Sequence, residues 1–345
     1  MPPSGDFSPD AIAHAALRCR ERVHILRRED DGAIAVAFGS NPPAHMDSSG
    51  VCLVASLEPV YPEWLGSTGF LEAHSVRFPY ASGAMAHGIA SAQMVVAMAR
   101  AELFAFYGSA GVPLDEVEKN VGWIQQELAG NSSGWGSDLI HTPHDPSIED
   151  SLVEFYLTRG VSRVSASAFM RLTPAVVRYA CSGLALAPDG SIVRKHHLFA
   201  KLSRPETAKL FMSPAPGEIL GALVDRGLLS RAEAQLAAHV ALAEDVTVEA
   251  DSGGHTDNRP LTALLPAIIG LRSELQSVHR FARPIRIGAA GGIGTPSAVA
   301  AAFGLGAADV MTGSTHQCTI EAGTSPLATE MRAGADFMDV AMAPS

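Results

Sequence analysis

The sequence predicts an α/β protein that consists of a (β/α)8 TIM barrel and a small N-terminal α+β subdomain. Three observations lead to this fold class. The chain has 345 residues, which is enough for a barrel of about 250 residues and a smaller unit. Its 32 glycines and 22 prolines are typical of many strand–loop–helix units. Eight short apolar runs alternate with helical patterns after residue 75, so we place the subdomain at 1–75 and the barrel at 76–345.

The N-terminal residues differ from the rest of the chain in their pattern. A helical pattern covers "DAIAHAALRCRERV", and three strand-like runs follow, "VHILRRED", "AIAVAF" and "VCLVASL". Helix and strand signals are not interleaved here as they are later. This arrangement favours a separate α+β unit.

The eight later runs predict the barrel strands. They cover residues 77–86, 103–111, 135–141, 161–169, 197–203, 245–254, 285–294 and 309–315. Continuous apolar strands that alternate with helices indicate a parallel sheet covered by helices. Two of the helices, "SIEDSLVEFYLTRG" and "PSAVAAAFGLGA", open with Ser or Pro, as helix starts do. A doubly wound open sheet is the structural alternative.

One interval is longer than the others. Residues 204–244, between strands five and six, contain at least two helical segments. Loops that follow barrel strands build the active site. We therefore expect this helical insertion to act as a lid or as a partner surface.

A phosphate site is predicted after strands seven and eight. Gly291 and Gly292 lie between a strand and a helix start, and Gly313 and Ser314 follow the next strand. Bare amides at a helix start favour an anion, and barrels commonly bind phosphate with these two loops. The alternative is that the glycines only permit tight turns.

The run "VEADSGGH" after strand six suggests a cofactor and a proton-transfer group. Ser252, Gly253 and Gly254 would let a flat cofactor lie against the backbone. His255 would then stand over the reacting atoms as an acid or base. The alternative is a loop histidine that only forms hydrogen bonds.

Strands one and five end in further candidate residues. Lys201 is a charged residue in an apolar strand, which is costly to bury without an anion. It either reaches the cofactor or substrate carbonyl, or forms a salt bridge to Glu249 or Asp251. Three residues at the end of strand one either admit a ring edge or pack in the core, namely Ala84, Met85 and Ala86.

Charge and composition exclude several function classes. The net charge of −11 argues against a broad nucleic-acid surface. No apolar run approaches the roughly 18–20 residues of a membrane span, and no leader pattern opens the chain. Four cysteines without CxxC spacing suggest reduced thiols in the cytoplasm. His141 and His144 share one strand end, but no third ligand suggests a metal site.

Several blocks together resemble a known family. They are "FPYASGAMAHGIAS", "FAKLSRPE", "VEADSGGHTDNRP", "GAAGGIGTPSAVAAAFGLGA" and "TGS". The chain resembles the PfaD-like trans-acting enoyl reductases of polyketide and polyunsaturated fatty acid synthases. These are FMN-dependent barrels related to FabK-type enoyl reductases and nitronate monooxygenases. The resemblance runs from "VYPEWLG" to "MAPS", most of the chain.

The resemblance implies a reaction and its participants. NADPH would reduce FMN, and the flavin would reduce an α,β-unsaturated acyl thioester on an acyl carrier protein. Other synthase components, and as an open alternative a second copy of the chain in a homodimer, would be further partners. The resemblance assigns acid–base chemistry to His255. It assigns phosphate binding to Gly291, Gly292, Gly313 and Ser314, and positions near the flavin ring to Ala84, Met85, Asp138 and Lys201.

This chain departs from the family pattern at four positions. Asn is usual where the chain has His87, Asp138, His144 and His316. A carboxylate at 138 would place negative charge beside an anionic cofactor, whereas an amide both donates and accepts hydrogen bonds. The family also continues beyond "MAPS" with a helical region, so the resemblance leaves closure of the substrate tunnel open.

Alternative functions remain on the same fold. They are a nitronate monooxygenase-like flavin oxidase, a flavin-linked isomerase or dehydrogenase, and a catalytically silent docking module. An acidic carrier protein would need a local basic patch on this acidic chain. We expect Arg194, Lys195 and Arg204 to supply it.

Overall fold

The computed structural model describes residues 5–41, 50–131, 134–252, 256–335 and 339. Contacts within the chain separate two compact units, residues 1–65 and 66–345. The division of the chain into functional domains at residue 75 stays a prediction. Each unit is described by itself below.

The first unit is a small α+β layer, as the N-terminal pattern predicts. Helix Ala11–Leu17 precedes a three-stranded antiparallel sheet in which Val23–Arg28 lies between Ile34–Phe38 and Val51–Leu57. A short 3₁₀ turn, Pro62–Trp64, follows. The helix buries alanines against the sheet, where valines from two strands complete a small core.

The second unit is a closed barrel of eight parallel strands. Its strands are β1 Tyr80–Ser82, β2 Phe104–Tyr107, β3 Gly136–Ile140, β4 Arg163–Ser167, β5 His197–Leu202, β6 Asp245–Glu249, β7 Arg286–Ala290 and β8 Val310–Thr312. They follow chain order around the ring, and β8 pairs with β1. Each predicted strand is present, so the TIM barrel is confirmed and the open sheet is wrong.

Helices surround the barrel and connect its strands. They are Thr68–His74, Ala92–Arg100, Leu114–Glu127, Pro146–Arg159, Pro174–Cys181, Pro205–Phe211, Gly217–Asp225, Arg231–Ala237, Leu261–His279, Pro296–Gly304 and Pro326–Ala333, with a 3₁₀ turn at His316–Cys318 and a hairpin of Ala185–Leu186 with Ile192–Val193. Several begin with proline behind a capping side chain. Thr295 Oγ, for example, accepts a hydrogen bond from the Ala298 N–H, which satisfies a free donor at the helix start.

Buried hydrophobic side chains form two layers, one outside the barrel strands and one inside the barrel. Most buried side chains lie between the strands and the outer helices. A second cluster fills the barrel interior with Phe104, Phe106, Phe199 and Met311, and Phe70 packs beneath it. Because the interior is packed, it is a core and not a channel. Chemistry is therefore directed to the loops at the carboxyl ends of the strands.

An ionic cluster lies at the opposite, amino end of the strands. Arg286 donates two hydrogen bonds to Asp245, at 2.6 and 2.7 Å, and His74 Nε2 lies 3.1 Å from the same carboxylate. Burial raises the pKa of Asp245, but His74 and Arg286 overcome it and hold the pKa below its ordinary value. Charged residues at this end of a barrel serve stability.

The insertion between β5 and β6 forms three helices, Pro205–Phe211, Gly217–Asp225 and Arg231–Ala237. The last two pack against the outer helix Pro174–Cys181. Glu233 caps its own helix through Ser230 and also accepts a 2.6 Å hydrogen bond from the Gly183 N–H. These contacts cover the side of the barrel, and a lid function for residues 204–244 stays a prediction.

Among the residues that the structure describes, no helix combines the length and apolar character needed to cross a membrane.

Candidate active site at the carboxyl end of the barrel

Glycine loops follow β7 and β8 where the sequence predicts a phosphate site. Gly291 and Gly292 both have positive φ, +86° and +67°, a region that favours glycine. A Cβ on Gly291 would lie 2.7 Å from the Ala250 carbonyl oxygen. Among the described residues, a Cβ on Gly294 would have no atom within 4 Å, and one on Gly292 would meet only the Asp251 carbonyl oxygen, at 3.8 Å. The first glycine therefore permits close strand packing, and the next two leave open space before the helix that starts at Pro296.

Gly313 and Ser314 form the neighbouring wall of this open space. A Cβ on Gly313 would lie 3.8 Å from Met85 Sδ, so the loop after β8 meets the loop after β1. The Gly313 carbonyl accepts a 2.9 Å hydrogen bond from the His316 N–H. Ser314 is exposed. The structure thus brings three predicted residues, Met85, Gly313 and Ser314, to one edge of the barrel mouth.

Lys201 forms a salt bridge at the top of the barrel interior. Its Nζ lies 2.8 Å from Glu249 Oε1, and the two side chains are 15% and 10% exposed. Ser252 Oγ donates to the same carboxylate oxygen at 3.4 Å. The salt bridge to Glu249 that the sequence left as an alternative is therefore present. It holds the ammonium group at the mouth of the barrel.

The residues after β1 lie around Met85. Gln317 Nε2 donates to Met85 Sδ at 3.2 Å, and Ala84 packs against the interior cluster. The Ala86 carbonyl accepts a hydrogen bond from Ile89 N–H. This turn puts a polarizable sulfur next to the glycine loop after β8.

Buried polar atoms without a hydrogen-bond partner occur at the same end of the barrel. Among the described residues they include Ser167 Oγ, beside Lys201 in the strand register, and Gln317 Oε1. Such atoms are costly unless a ligand or water satisfies them. Together with the space over Gly292 and Gly294 that no described residue fills, they fit a ring ligand with its own donors and acceptors.

Asp138 is buried and holds the loop that follows β2. Its Oδ1 accepts hydrogen bonds from the Ser109 N–H at 2.7 Å, the Ser109 hydroxyl at 2.6 Å and the Ala110 N–H at 3.0 Å. Burial raises the pKa of Asp138, against the effect of these hydrogen bonds. An amide oxygen could accept the same donors, which gives a physical reason why either residue serves here. Contact between Asp138 and a cofactor stays a prediction.

The other departures from the family pattern have different environments. His87 has φ of +58°, a region in which Asn and His are enriched among non-glycine residues. His316 is buried, and its Nδ1 lies 3.0 Å from Thr312 Oγ1, which in turn lies 2.7 Å from the Tyr80 hydroxyl. Burial lowers the pKa of His316. His144 is exposed.

The loop after β6 carries the predicted acid–base residue. Gly253, Gly254 and His255 lie outside the described residues. The Asp251 N–H donates to the Arg259 carbonyl at 2.9 Å, so these two described residues lie side by side near the end of β6. The acid–base role of His255 and the cofactor contact of the two glycines stay predictions.

Arg194 cannot contribute to the predicted basic patch, whereas Lys195 is exposed and its docking role stays a prediction. Arg194 is buried, pairs with Glu244 at 3.0 Å and donates to backbone carbonyls. Both Arg194 and Lys195 precede β5, at the amino end of the strands, away from the loops that build the site. Arg204 is at the correct end but pairs with Asp257 at 2.6 Å.

The sequence did not reveal a second polar group, at the ends of β3 and β4. His141 Nδ1 lies 2.8 Å from Glu149 Oε1. His141 directly follows β3, and Glu149 lies in the first turn of the next helix. Their short separation in the sequence could have suggested the contact. No group of three His, Cys, Asp or Glu side chains with metal-binding geometry occurs in the described part of the chain.

Known proteins with similar sequences are synthase components. The chain is 41% identical over 283 residues to the polyketide biosynthesis protein PksE of Bacillus subtilis, covering 82% of this chain and 37% of that protein. It is also 41% identical to a polyunsaturated fatty acid synthase subunit of Thraustochytrium sp., covering 81% of this chain and 19% of that relative. The chain therefore spans well under half of these relatives.

A solved structure supports the same relationship. The enoyl reductase domain of MlnA, from the macrolactin biosynthesis cluster of Bacillus amyloliquefaciens, matches with a TM-score of 0.79 and 36% identity, covering 82% of this chain and 64% of that domain. No protein-family model matches the chain. By sequence and by barrel architecture, the chain belongs to the PfaD-like family of TIM-barrel enoyl reductases.

Proposed function

We propose that this protein is an FMN-dependent enoyl reductase that uses NAD(P)H and acts in trans on an α,β-unsaturated thioester of an acyl carrier protein. One observation carries the proposal. The glycine loops after β7 and β8 border space that no described residue fills, at the same end of the barrel as Lys201 and the buried polar atoms without a described partner. In a member of this family, that arrangement is best explained by a bound flavin.

The residues present fit a flavin. Gly291, Gly292, Gly313 and Ser314 would hold its phosphate, with the start of the helix at Pro296 favouring the negative charge. Met85 would pack beside the ring, and Ser167 would offer a hydroxyl from the barrel interior. When bound, FMN supplies hydride chemistry that no amino-acid side chain can supply.

The chain's own residues would orient the substrate and move protons. Lys201 Nζ, held by Glu249 at 2.8 Å, would donate a hydrogen bond to the ring or to the thioester carbonyl oxygen. The His255 imidazole would give a proton to Cα of the substrate. The packed interior of Phe104, Phe199 and Met311 would exclude water from below the reacting atoms.

The relatives support a proposal about the biological setting. PksE and the Thraustochytrium synthase protein are named for polyketide and polyunsaturated fatty acid assembly. We propose that this chain serves such a synthase in the cytoplasm. The four cysteines, which form no disulfide among the described residues, suit a reducing compartment.

The visible spectrum of the purified protein is the first test. We expect flavin absorption bands that survive desalting after excess FMN is added. We then expect NADPH or NADH oxidation that depends on a crotonyl thioester of an acyl carrier protein, and its loss in His255→Gln with flavin retained.

Two results would overturn the proposal. No retained flavin under any condition would favour a silent docking module. Retained flavin with oxygen consumption on a nitroalkane, and no thioester-dependent oxidation of NADPH or NADH, would favour an oxidase.

A further inference from the structure

A second concave site lies at the ends of β3 and β4, and the proposed flavin chemistry does not use it. The cavity has a volume of about 280 Å³. Its walls include His141, Thr142, Glu149, Arg171 and Thr173. A drug-sized ligand usually needs about 300–1,000 Å³, so this cavity suits one group of a larger ligand.

Glu149 is the fixed centre of this site. It is 2% exposed, and its carboxylate accepts hydrogen bonds from the Thr142 N–H at 2.8 Å and the Thr173 hydroxyl at 2.7 Å. His141 Nδ1 lies 2.8 Å from the same group and donates to it. Three donors therefore satisfy the carboxylate from within the protein.

His141 is held in one orientation and offers one free nitrogen. Its ring stacks on Phe169 with centroids 4.9 Å apart and planes 24° apart. The side chain is 9% exposed, and Nε2 has no hydrogen-bond partner among the described residues. A carboxylate on Nδ1 is the usual way that proteins fix an imidazole so that Nε2 can meet a ligand.

Arg171 adds a positive charge to the same wall. Its side chain is exposed, and no ion pair or hydrogen bond engages it within the described ranges. The Glu149 carboxylate already has three donors, so among the described residues of this wall Arg171 is the charged side chain without a partner. An arginine and an oriented imidazole at one cavity favour a phosphate or carboxylate group.

The position of the cavity suggests which anion binds. In a ring of eight strands in chain order, β3 and β4 lie opposite β7 and β8. The flavin phosphate would occupy the β7–β8 side, so a second reactant would approach the ring from the other side. Two candidate second reactants carry a phosphate ester remote from their reacting atoms: a carrier protein, in its 4′-phosphopantetheine arm, and NADPH, on its adenosine ribose.

We infer that the His141–Arg171 cavity binds the phosphate ester of the second reactant, either the 4′-phosphopantetheine arm of a carrier protein or the 2′-phosphate of NADPH. The inference rests on the proposed function for the identity of the ligand. The Arg171 guanidinium would donate to the phosphate oxygens. His141 would donate from Nε2 in its imidazolium form, since its Nδ1–H already donates to Glu149. Glu149 would act as a positioning residue that orients the imidazole.

Binding measurements on the full chain with FMN present test the inference. Calorimetry would compare pantetheine 4′-phosphate with pantetheine, and NADPH with NADH. We expect the phosphate to strengthen binding about tenfold or more in one pair. Arg171→Glu and His141→Ala should remove that advantage without changing binding of the probe that lacks the phosphate.

Arg283→Glu is the matched control, because it makes the same charge change on an exposed arginine before β7, at the amino end of the barrel. It should keep the phosphate advantage. A loss in the pantetheine pair assigns the cavity to the carrier arm, and a loss in the NADPH pair assigns it to the nucleotide. An advantage that survives Arg171→Glu in both pairs, or no advantage in either pair, would overturn the inference.

The measurement also separates this inference from the proposed function. It needs no turnover, so phosphate binding without thioester reduction would contradict the reductase and retain the cavity. Thioester reduction, together with an Arg171→Glu variant that binds the phosphate probes as tightly as the natural chain, would retain the reductase and contradict the cavity.

Discussion

Asp309 gives a prediction about stability whose sign can be worked out from the structure. It lies directly before β8, 2% exposed, and its Oδ2 has no hydrogen-bond partner in the described part of the chain. Burial and the nearby Asp245 raise the pKa of Asp309 to about 8, and Arg286 opposes the rise. The folded protein therefore binds a proton at pH values where the unfolded chain has lost it.

The magnitude follows from linkage between proton binding and folding. Below about pH 4 the carboxyl group is protonated in both states and imposes no penalty. Between about pH 4 and pH 8 the folded state alone holds the proton, so the free energy of unfolding falls by about 1.4 kcal/mol per pH unit. The full loss, reached near pH 8, is on the order of 5 kcal/mol.

Asp309→Asn removes the titration and nearly preserves the shape of the side chain. We expect the variant to gain stability relative to the natural chain as pH rises from 5 to 8. At pH 7 the gain of roughly 4 kcal/mol is reduced by the cost of burying an amide, about 1–3 kcal/mol. The slope of the difference against pH is therefore more informative than its absolute value.

Urea unfolding at several pH values measures this difference, because all other titrating groups cancel between the two proteins. Tryptophan fluorescence reports on the barrel through Trp123 and Trp135, which pack against its core. Asp225→Asn makes the same substitution at an exposed residue at the end of an insertion helix, and it is the matched control. A difference between Asp309→Asn and the natural chain that stays constant from pH 5 to 8 would refute the reasoning.

Three further substitutions test other parts of the structure. Asp245→Ala should destabilise the barrel by about 3–5 kcal/mol, because it leaves Arg286 buried without its partner. Thermal and urea unfolding would measure this loss, and a loss below about 1 kcal/mol would contradict the prediction. Gly291→Ala should abolish flavin retention after desalting, since its φ is positive and its methyl would meet the neighbouring strand. Gly304→Ala should retain the flavin, because Gly304 lies at the far end of the following helix and an added Cβ would meet no described atom within 4 Å. Equal retention in the two variants would argue against the steric account. His87→Asn should change the free energy of unfolding by less than about 1 kcal/mol, because Asn tolerates the same left-handed backbone. A large loss of stability in a thermal melting experiment would show instead that the imidazole makes an essential contact.

The sequence alone determined the architecture. Each barrel strand is a short apolar run between glycine or proline signals, and each helix start is marked by nearby residues such as Thr295 and Pro296. These signals are local, so the eight strands, their order and the positions of the glycine loops at 291 and 313 could be predicted. Strand numbering then placed these loops on one rim, because parallel strands all end on the same side.

Only the tertiary structure decided which polar groups meet. Lys201 and Glu249 are 48 residues apart, and Arg194 and Glu244 are 50 apart. The sequence could not distinguish a catalytic lysine from an ion-paired one, or a docking arginine from a buried one. Ion pairing and burial depend on the distances between side chains in the folded barrel. The barrel brings together residues that are far apart in the chain and share no local sequence signal.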